Sequence, residues 1–170
     1  MSVLDVIKSR RSIRQYKSTR VSDDVIMQLI DAARHAPSAG NIQPWEFIIV
    51  KDKEVREQLA KTLSWGSFVK DAPVCIVVLG NEKLSPNFFA IDAACATENL
   101  LLAAHALNLG ACWVAVYALK DTTSENNVRA ILNVPQHIRI IAVVPIGYPA
   151  QKARPRILRE FKEIVHINKY

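Results

Sequence analysis

Two clusters of basic side chains, one at each end of the chain, are the strongest candidates for chemistry in this sequence. The first consists of Lys8, Arg10, Arg11, Arg14, Lys17 and Arg20, and the second of Lys152, Arg154, Arg156, Arg159, Lys162 and Lys169. An arginine guanidinium donates two parallel hydrogen bonds to a phosphate and stays charged at physiological pH. If the two clusters converge in the fold, they would bind one small phosphate-bearing anion.

The charge of the remaining chain supports this hypothesis. The net charge is +6, yet the two end segments hold twelve basic and three acidic residues, so the residues between them are acidic overall. A nucleic-acid binder more often spreads its positive charge along one face. A basic nucleic-acid-binding protein therefore remains the weaker alternative, and ordinary solvation of the termini explains any single basic residue equally well.

The glycine pattern excludes two common phosphate-binding loops. None of the five glycines forms G-x-G-x-x-G or G-x-x-x-x-G-K, so neither a Rossmann turn nor a P-loop is present, and if the protein binds a phosphate, side chains must hold it. Charged hydrogen bonds contribute about 1.5–3 kcal/mol each, so two converging arginines would supply about two to four decades of affinity.

The segment HAPSAGNIQPWEF, residues 35–47, is a second candidate for binding. Its small and amide-bearing positions are Pro37, Ser38, Ala39, Gly40, Asn41 and Gln43. Such a loop can approach a flat polar heterocycle closely and offer it both donors and acceptors. An ordinary helix-to-strand connection is an equally good interpretation of its composition.

No pattern indicates a nucleophilic triad, an acid–base pair or a metal site. Cys75, Cys95 and Cys112 lie among apolar residues without C-x-x-C spacing, which is typical of reduced core thiols. The four histidines form no H-E-x-x-H pattern. We interpret four polar residues of the predicted helices and their ends as structural groups, namely His35, Asp92, Glu98 and His105. We therefore assign no catalytic side chain and no metal.

The elements that must position these residues alternate between helix and strand. Ser2 with Asp5 predicts a capped helix to about Arg10, and Ser22 caps a second helix that stops at Pro37. Further helices are predicted at EVREQLAKTL, SENNVRAIL and residues 88–107, the last ending before a left-handed Gly110. Strands are predicted at WEFIIV, VCIVVLG, ACWVAVY and IRIIAVVPIGY.

Length and composition fit one globular domain over residues 1–170. Half of the residues are hydrophobic and 22% are charged, which is enough for a buried core. The long apolar helix carries interior polar residues, so it is expected between layers rather than in a membrane. The start lacks the pattern of a secretory signal, and we expect a cytoplasmic protein.

Four motifs in series resemble the nitroreductase family of FMN-dependent oxidoreductases. They are RRSIR, PSAGNIQPW, AIDAACATENLLLAAHALNLGACWV and PIGYP before the basic tail. The resemblance implies an α+β, three-layer nitroreductase-like fold, in which helices flank a central mixed sheet of four to five strands and one long helix is buried. It also implies a homodimer with FMN at the subunit interface, and neither nucleic acid nor membrane as a partner.

The resemblance implies roles for single residues as well. Arg10 and Ser12 would lie at the FMN phosphate, Arg11 near the ribityl chain and Arg14 at the N1/O2 edge of the ring. The residues expected to pack on the ring from the other subunit are Pro37, Ser38, Ala39, Asn41 and Gln43. In the basic tail, the residues expected to return to the phosphate are Arg154 and Arg156.

One position departs from the family. Many relatives carry a glycine-containing pair whose backbone amides face the flavin N5 and O4, where this chain has Ala115 and Val116. The backbone amides of Ala115 and Val116 can donate hydrogen bonds whatever their side chains, but these side chains are larger than glycine and would narrow the space in which substrates bind. Trp65 and Phe68 are candidates to rebuild that pocket, although core packing is the better interpretation of both.

The implied activity follows from the cofactor. NADH or NADPH would pass a hydride to flavin N5, and a nitroaromatic, quinone or similar flat acceptor would then use the same pocket, which gives ping-pong kinetics. A flavin reductase that releases reduced FMN fits the same residues. The choice between NADH and NADPH stays open.

Overall fold

The computed structural model describes residues 1–170 as five α-helices around one five-stranded sheet. The helices are α1 (Val3–Ser9), α2 (Asp23–Arg34), α3 (Lys53–Thr62), α4 (Phe89–Ala106) and α5 (Thr123–Leu132). The strands are β1 (Trp45–Val50), β2 (Val74–Asn81), β3 (Gly110–Ala111), β4 (Val114–Ala115) and β5 (Ile138–Gly147). The α+β class expected from the sequence is confirmed.

Local sequence signals set the helix starts. The Ser2 hydroxyl accepts from the Asp5 amide, and the Asp5 carboxylate accepts from the Ser2 amide at 2.9 Å, which completes the predicted capping box of α1. The Ser22 hydroxyl accepts from the Val25 amide at the start of α2, and the Asp52 carboxylate accepts from the Glu54 and Val55 amides at the start of α3. These caps satisfy amides that the first helical turn leaves without partners.

The sheet has the order β1-β2-β5-β3, with β4 also paired to β5, and all four strand pairs are antiparallel. The expected mixed pairing occurs only as an isolated parallel bridge between Ser12 and Ala111. The physical reason lies in the connection that contains α3. Val50 at the end of β1 pairs with Cys75 at the start of β2, so the chain returns to the same end of the sheet and reverses direction.

The predicted strand ACWVAVY is wrong as one continuous element. It forms two short pieces, β3 and β4, which pair with β5 in a single register. That register places Cys112 opposite Pro145, which has no amide hydrogen to donate. The Pro145 carbonyl oxygen instead accepts from the Tyr16 hydroxyl at 3.3 Å. The interruption therefore follows from proline in the partner strand.

Two hydrophobic clusters fill the space on the two faces of the sheet. One contains Ile76 and Val78 of β2 with residues of α2 and α4, and the other contains Val77 of β2 with residues of α3 and α5. Alternate side chains of a strand point to opposite faces, so β2 contributes to both clusters and the fold has three layers. In α4, Ala93, Ala96 and Leu100 are completely buried, as expected for the long central helix. No helix in the structure combines the length and hydropathy that a membrane span requires.

The end of α4 differs from the predicted left-handed glycine. Asn108 adopts the left-handed conformation, with φ of 59°, whereas Gly110 begins β3. Asparagine tolerates this conformation better than most residues. Gly110 is needed for close packing, because a Cβ atom there would lie 2.6 Å from Ile13 Cγ2.

Candidate active site

The two basic ends of the chain meet in the fold. The Arg156 guanidinium donates to the carbonyl oxygen of Arg10 at 3.2 Å, and the Arg11 Nε donates to that of Arg154 at 3.2 Å. The Arg14 amide donates to the Gln151 side chain at 3.1 Å. Three hydrogen bonds thus join the opening segment to the tail, and the convergence expected from charge alone is confirmed.

Arg11 acts mainly as a link between these segments. Besides its bond to Arg154, its Nη1 donates to the carbonyl oxygens of Lys8 at 2.7 Å and Arg10 at 2.8 Å. Three backbone acceptors fix the guanidinium, which leaves less of it free for a ligand. The structure therefore gives Arg11 a positioning role, and its expected contact with a ribityl chain stays a prediction.

A cavity of about 680 Å³ lies where the two ends meet, and we call it the basic cavity. It is lined by Arg11, Ser12, Arg14, Gln15, Gln151, Arg154, Pro155 and Arg156. None of these residues is acidic or hydrophobic, so four arginines line the cavity without a carboxylate among its walls. This donor set fits a phosphate dianion.

Arg10 does not line the basic cavity. Its Nε lies 3.4 Å from the Glu98 carboxylate of α4, and the side chain is largely buried. That Nε atom makes no hydrogen bond of good geometry despite its burial. Arg10 contributes its backbone carbonyl to the junction of the two ends, and its expected contact with a phosphate stays a prediction.

A second cavity, of about 850 Å³, adjoins the first through Arg14, which lines both. We call it the aromatic cavity. Its walls include the rings of Trp65, Phe68, Trp113 and Tyr117 together with Ala115 and Val116. Flat apolar walls beside a guanidinium suit a flat ring that carries a polar edge.

The Ala115–Val116 pair differs from expectation in its backbone. The Val116 amide donates to the Ile141 carbonyl oxygen at 3.1 Å and is therefore committed to the sheet. Successive amides of a strand point to opposite sides, which leaves the Ala115 amide as the candidate donor toward the cavity. One amide donor, rather than two, is thus offered by this pair.

Trp65 was expected to pack in the core, and this prediction is wrong, because 88% of its surface is exposed. It belongs to the loop between α3 and β2 and stands at the wall of the aromatic cavity. Phe68 is partly buried in the same loop, and the Arg14 guanidinium lies 5.7 Å from its ring centroid. These two residues shape the cavity, which was the less favoured interpretation of the sequence.

The amide-rich loop lies apart from both cavities. None of its residues from Pro37 to Gln43 lines either cavity. Asp92 of α4 holds the loop, since its carboxylate accepts from the Ala39 amide at 3.2 Å. Gln43 has a left-handed backbone with φ of 55°, secured by a bond from its amide to the Ser38 hydroxyl at 3.0 Å. A non-glycine residue in this region stores strain and often marks a functional segment.

The pKa values of three titratable groups near the cavities, Cys112, Tyr16 and His105, are shifted by burial. Burial raises the pKa of the Cys112 thiol, although Arg14 partly opposes this. Burial also raises the pKa of Tyr16, so both groups stay neutral at physiological pH. Burial and the charges of Arg10 and Arg11 lower the pKa of His105, which hydrogen-bonds to Ser9 at 2.7 Å.

Several cavity residues were missed in the sequence. They are Gln15, Gln151 and Pro155 in the basic cavity, and Trp113, Tyr117, Asp121 and Ser124 in the aromatic cavity. Gln15 follows Arg14 and Gln151 precedes Lys152. Their position beside the basic clusters could have identified both as candidates from the sequence. Asp121, in the loop before α5, and Ser124, in the first turn of α5, lie far from both basic clusters in the chain and carried no such signal.

Several known proteins are similar to this chain in sequence and in fold. The family model described as the nitroreductase family matches residues 7–67 and 60–148. A Methanothermobacter thermautotrophicus protein named as an NADH dehydrogenase/NAD(P)H nitroreductase is 40% identical, across 100% of this chain and 88% of that protein. A crystal structure with the same name from Parabacteroides distasonis has a TM-score of 0.95 at 37% identity, covering 100% of this chain and 99% of the other. A Desulfovibrio desulfuricans structure named as a nitroreductase in complex with FMN has a TM-score of 0.86 at 30% identity, covering 100% and 98%. The nitroreductase-like fold expected from the motifs is confirmed.

Proposed function

The chain belongs to the nitroreductase family of oxidoreductases, and from this premise we propose that it uses FMN and NADH or NADPH to reduce nitroaromatics, quinones or similar flat acceptors. The observation that carries the proposal is the meeting of both basic ends at a cavity that shares Arg14 with a second cavity, lined by four aromatic residues. A phosphate dianion joined to a flat ring matches these two halves.

The residues present fit FMN. Arg154 and Arg156 with Ser12 would hold the phosphate, since no acidic side chain lines the basic cavity. Arg14, which lies in both cavities, would face the polar edge of the ring. When bound, FMN supplies hydride transfer through N5 of its ring. Trp113, Val114 and Val116, which line the aromatic cavity, would orient the ring and exclude water from it.

One cavity would serve the nicotinamide and the acceptor in turn. No side chain of the aromatic cavity is paired with a base that would activate it as a nucleophile, and four aromatic side chains are among its lining residues. Binding two substrates alternately against the same walls gives ping-pong kinetics, with catalysis by orientation rather than by side-chain acids and bases.

We also propose a homodimer in which the amide-rich loop completes the partner's site. The loop lies away from its own cavities, which supports this assignment. The C-terminal segment exposes seven large hydrophobic residues: Ile157, Leu158, Phe161, Ile164, Val165, Ile167 and Tyr170. So many exposed large apolar side chains in one segment are typical of an interaction surface, so we assign this segment to contact with a second copy.

Domain organisation and location follow from the same features. Both hydrophobic clusters pack on one sheet, which supports one domain over residues 1–170. Cys75, Cys95 and Cys112 are all unpaired, which suits a reducing compartment and supports a cytoplasmic location. The concave site built from both ends favours a small anion over a nucleic acid.

Purified protein tests the proposal directly. We expect a yellow preparation whose extracted flavin is FMN, a light-scattering mass of twice the chain mass, and anaerobic bleaching by a nicotinamide nucleotide. A nitroaromatic or quinone should then restore the oxidised spectrum, with parallel double-reciprocal plots. A colourless protein that does not bind added FMN would overturn the proposal. Loss of flavin from the protein during turnover would indicate a flavin reductase instead.

A further inference from the structure

The aromatic cavity has one negative charge in its wall. Arg14 and Asp121 are the only charged residues that line it, and Ser124 adds a hydroxyl near Asp121. Arg14 marks the junction with the basic cavity, whereas Asp121 belongs to the loop that precedes α5. The part of the cavity formed by this loop therefore presents acceptor oxygens and no cation.

The Asp121 carboxylate is ionised and held in place. The Thr123 amide donates to its Oδ1 at 2.9 Å, and hydrogen bonds from Thr123 lower the pKa of Asp121 below its ordinary value. The neighbouring Lys120 does not line the cavity. A ligand that enters here meets a fixed negative charge.

Arg139 fixes both ends of the segment that carries Asp121. Its guanidinium lies 4.8 Å from the ring centroid of Tyr117, whose ring also meets the edge of Phe89 at 5.6 Å. At the other end, Glu125 accepts two hydrogen bonds from Arg139, both at 2.8 Å. One side chain thus contacts Tyr117 and Glu125, the residues on either side of Asp121, so the two ends of this segment are already ordered before a ligand binds.

We propose that the adenosine ribose of the dinucleotide lies at Asp121 and that this carboxylate makes the protein select NADH over NADPH, an inference that rests on the proposed function. The two dinucleotides differ only at the adenosine ribose, where NADH has a 2′-hydroxyl and NADPH a 2′-phosphate. The hydroxyl can donate to the Asp121 carboxylate, as acidic residues do in other NAD sites. The phosphate would be repelled by that carboxylate, and the two arginines proposed to bind a phosphate, Arg154 and Arg156, are engaged by the phosphate of the flavin.

Steady-state kinetics with both dinucleotides tests this assignment. We expect kcat/KM for NADH to exceed that for NADPH by about tenfold or more, because NADH gains a hydrogen bond to a carboxylate where NADPH meets electrostatic repulsion. Asp121→Asn keeps an oxygen for the Thr123 amide but removes the charge, and should lower this ratio. Asp121→Arg should reverse the preference. Lys120→Gln changes an adjacent charge outside the cavity and should leave the ratio as in the wild type.

A binding measurement separates recognition from turnover. Trp65 and Trp113 line the cavity, so their fluorescence should respond to titration with NAD⁺ and NADP⁺, and the ratio of the two dissociation constants should shift in the same direction in Asp121→Asn. Equal kcat/KM values for NADH and NADPH, or an unchanged ratio of these values in Asp121→Asn, would overturn the inference. The proposed function would still stand if the protein bound FMN and the flavin were bleached by either dinucleotide. A protein that binds no FMN and oxidises neither dinucleotide would overturn both.

Discussion

The guanidinium of Arg156 donates to the backbone carbonyl oxygen of Arg10 at 3.2 Å, across 146 positions of the chain. The same oxygen accepts from Arg11 at 2.8 Å. The Arg10 carbonyl group therefore binds an arginine from each basic end of the chain. Hydrogen bonds to the backbone carbonyls of Arg10 and Arg154 offset the repulsion between the positive charges of the two ends. A bound dianion would relieve that repulsion further, so folding of this region and anion binding should support each other.

Arg156→Ala should lower the affinity for FMN by about tenfold to a hundredfold, because a charged hydrogen bond to phosphate contributes about 1.5–3 kcal/mol. Calorimetric titration of the flavin-free protein with FMN measures this. Riboflavin, which has no phosphate, should bind the variant and the wild type equally. Arg159→Ala is the matched control, since Arg159 pairs with Glu163 in the tail and does not line the basic cavity. Equal losses in both variants would show that tail charge in general, rather than this cavity, attracts the flavin.

Asp92→Ala should loosen the amide-rich loop, because the Ala39 amide loses its acceptor. A lost partner of this kind costs about 1–3 kcal/mol, and hydrogen exchange at residues 37–43 should accelerate. If the loop completes the partner's site, FMN affinity should fall as well. Asp92→Asn keeps an acceptor oxygen and should exchange like the wild type. Faster exchange in the alanine variant with unchanged FMN affinity would argue against the shared site.

Gly110→Ala should destabilise the fold by about 1–3 kcal/mol, as overpacking generally does. The new Cβ would lie 2.6 Å from Ile13 Cγ2, and the Ile13 amide donates to Ala111 at 3.0 Å, so the strain falls on the segment that carries Arg11 and Arg14. Chemical denaturation and FMN titration should both register the change. Asn108→Gly, at the left-handed position, should be tolerated. Wild-type behaviour of Gly110→Ala would contradict the close packing.

Glu125→Gln should destabilise the protein by about 3–5 kcal/mol at neutral pH, since a buried ion pair loses one charge. Glu125 is almost fully buried and accepts from Arg129 at 3.0 Å as well as from Arg139. Denaturant midpoints measure the loss. Glu57→Gln, which alters an exposed pair with Lys53, should change stability by less than about 1 kcal/mol.

The same carboxylate predicts a pH dependence. Burial alone would raise the pKa of Glu125, but hydrogen bonds from Arg139 and the Ile140 amide outweigh it and hold the pKa below its ordinary value. A lowered pKa in the folded state means that the stabilisation is complete above the unfolded pKa and is lost as the pH falls through the folded one. Wild-type stability should therefore decline in acid more steeply than that of Glu125→Gln. Parallel curves for the two proteins would assign the acid sensitivity to other groups.

The sequence by itself determined the local elements and gave a hypothesis for the chemistry of the ligand. Caps such as Ser2 and Ser22 and the apolar runs of β1, β2 and β5 placed most elements within one or two residues, because these signals act between near neighbours. Two arginine-rich ends and the absence of a glycine-rich loop indicated a phosphate held by side chains.

The tertiary structure alone decided which groups face the site. Arg10 turned toward Glu98, Val116 gave its amide to Ile141, and Pro145 divided the predicted strand opposite it. Trp65 stayed exposed at a cavity wall, and Asp121 joined it there from a distant loop. Each of these outcomes depends on a contact between residues far apart in the chain, and the energy of such a contact is set by three-dimensional packing, which periodicity and composition do not encode.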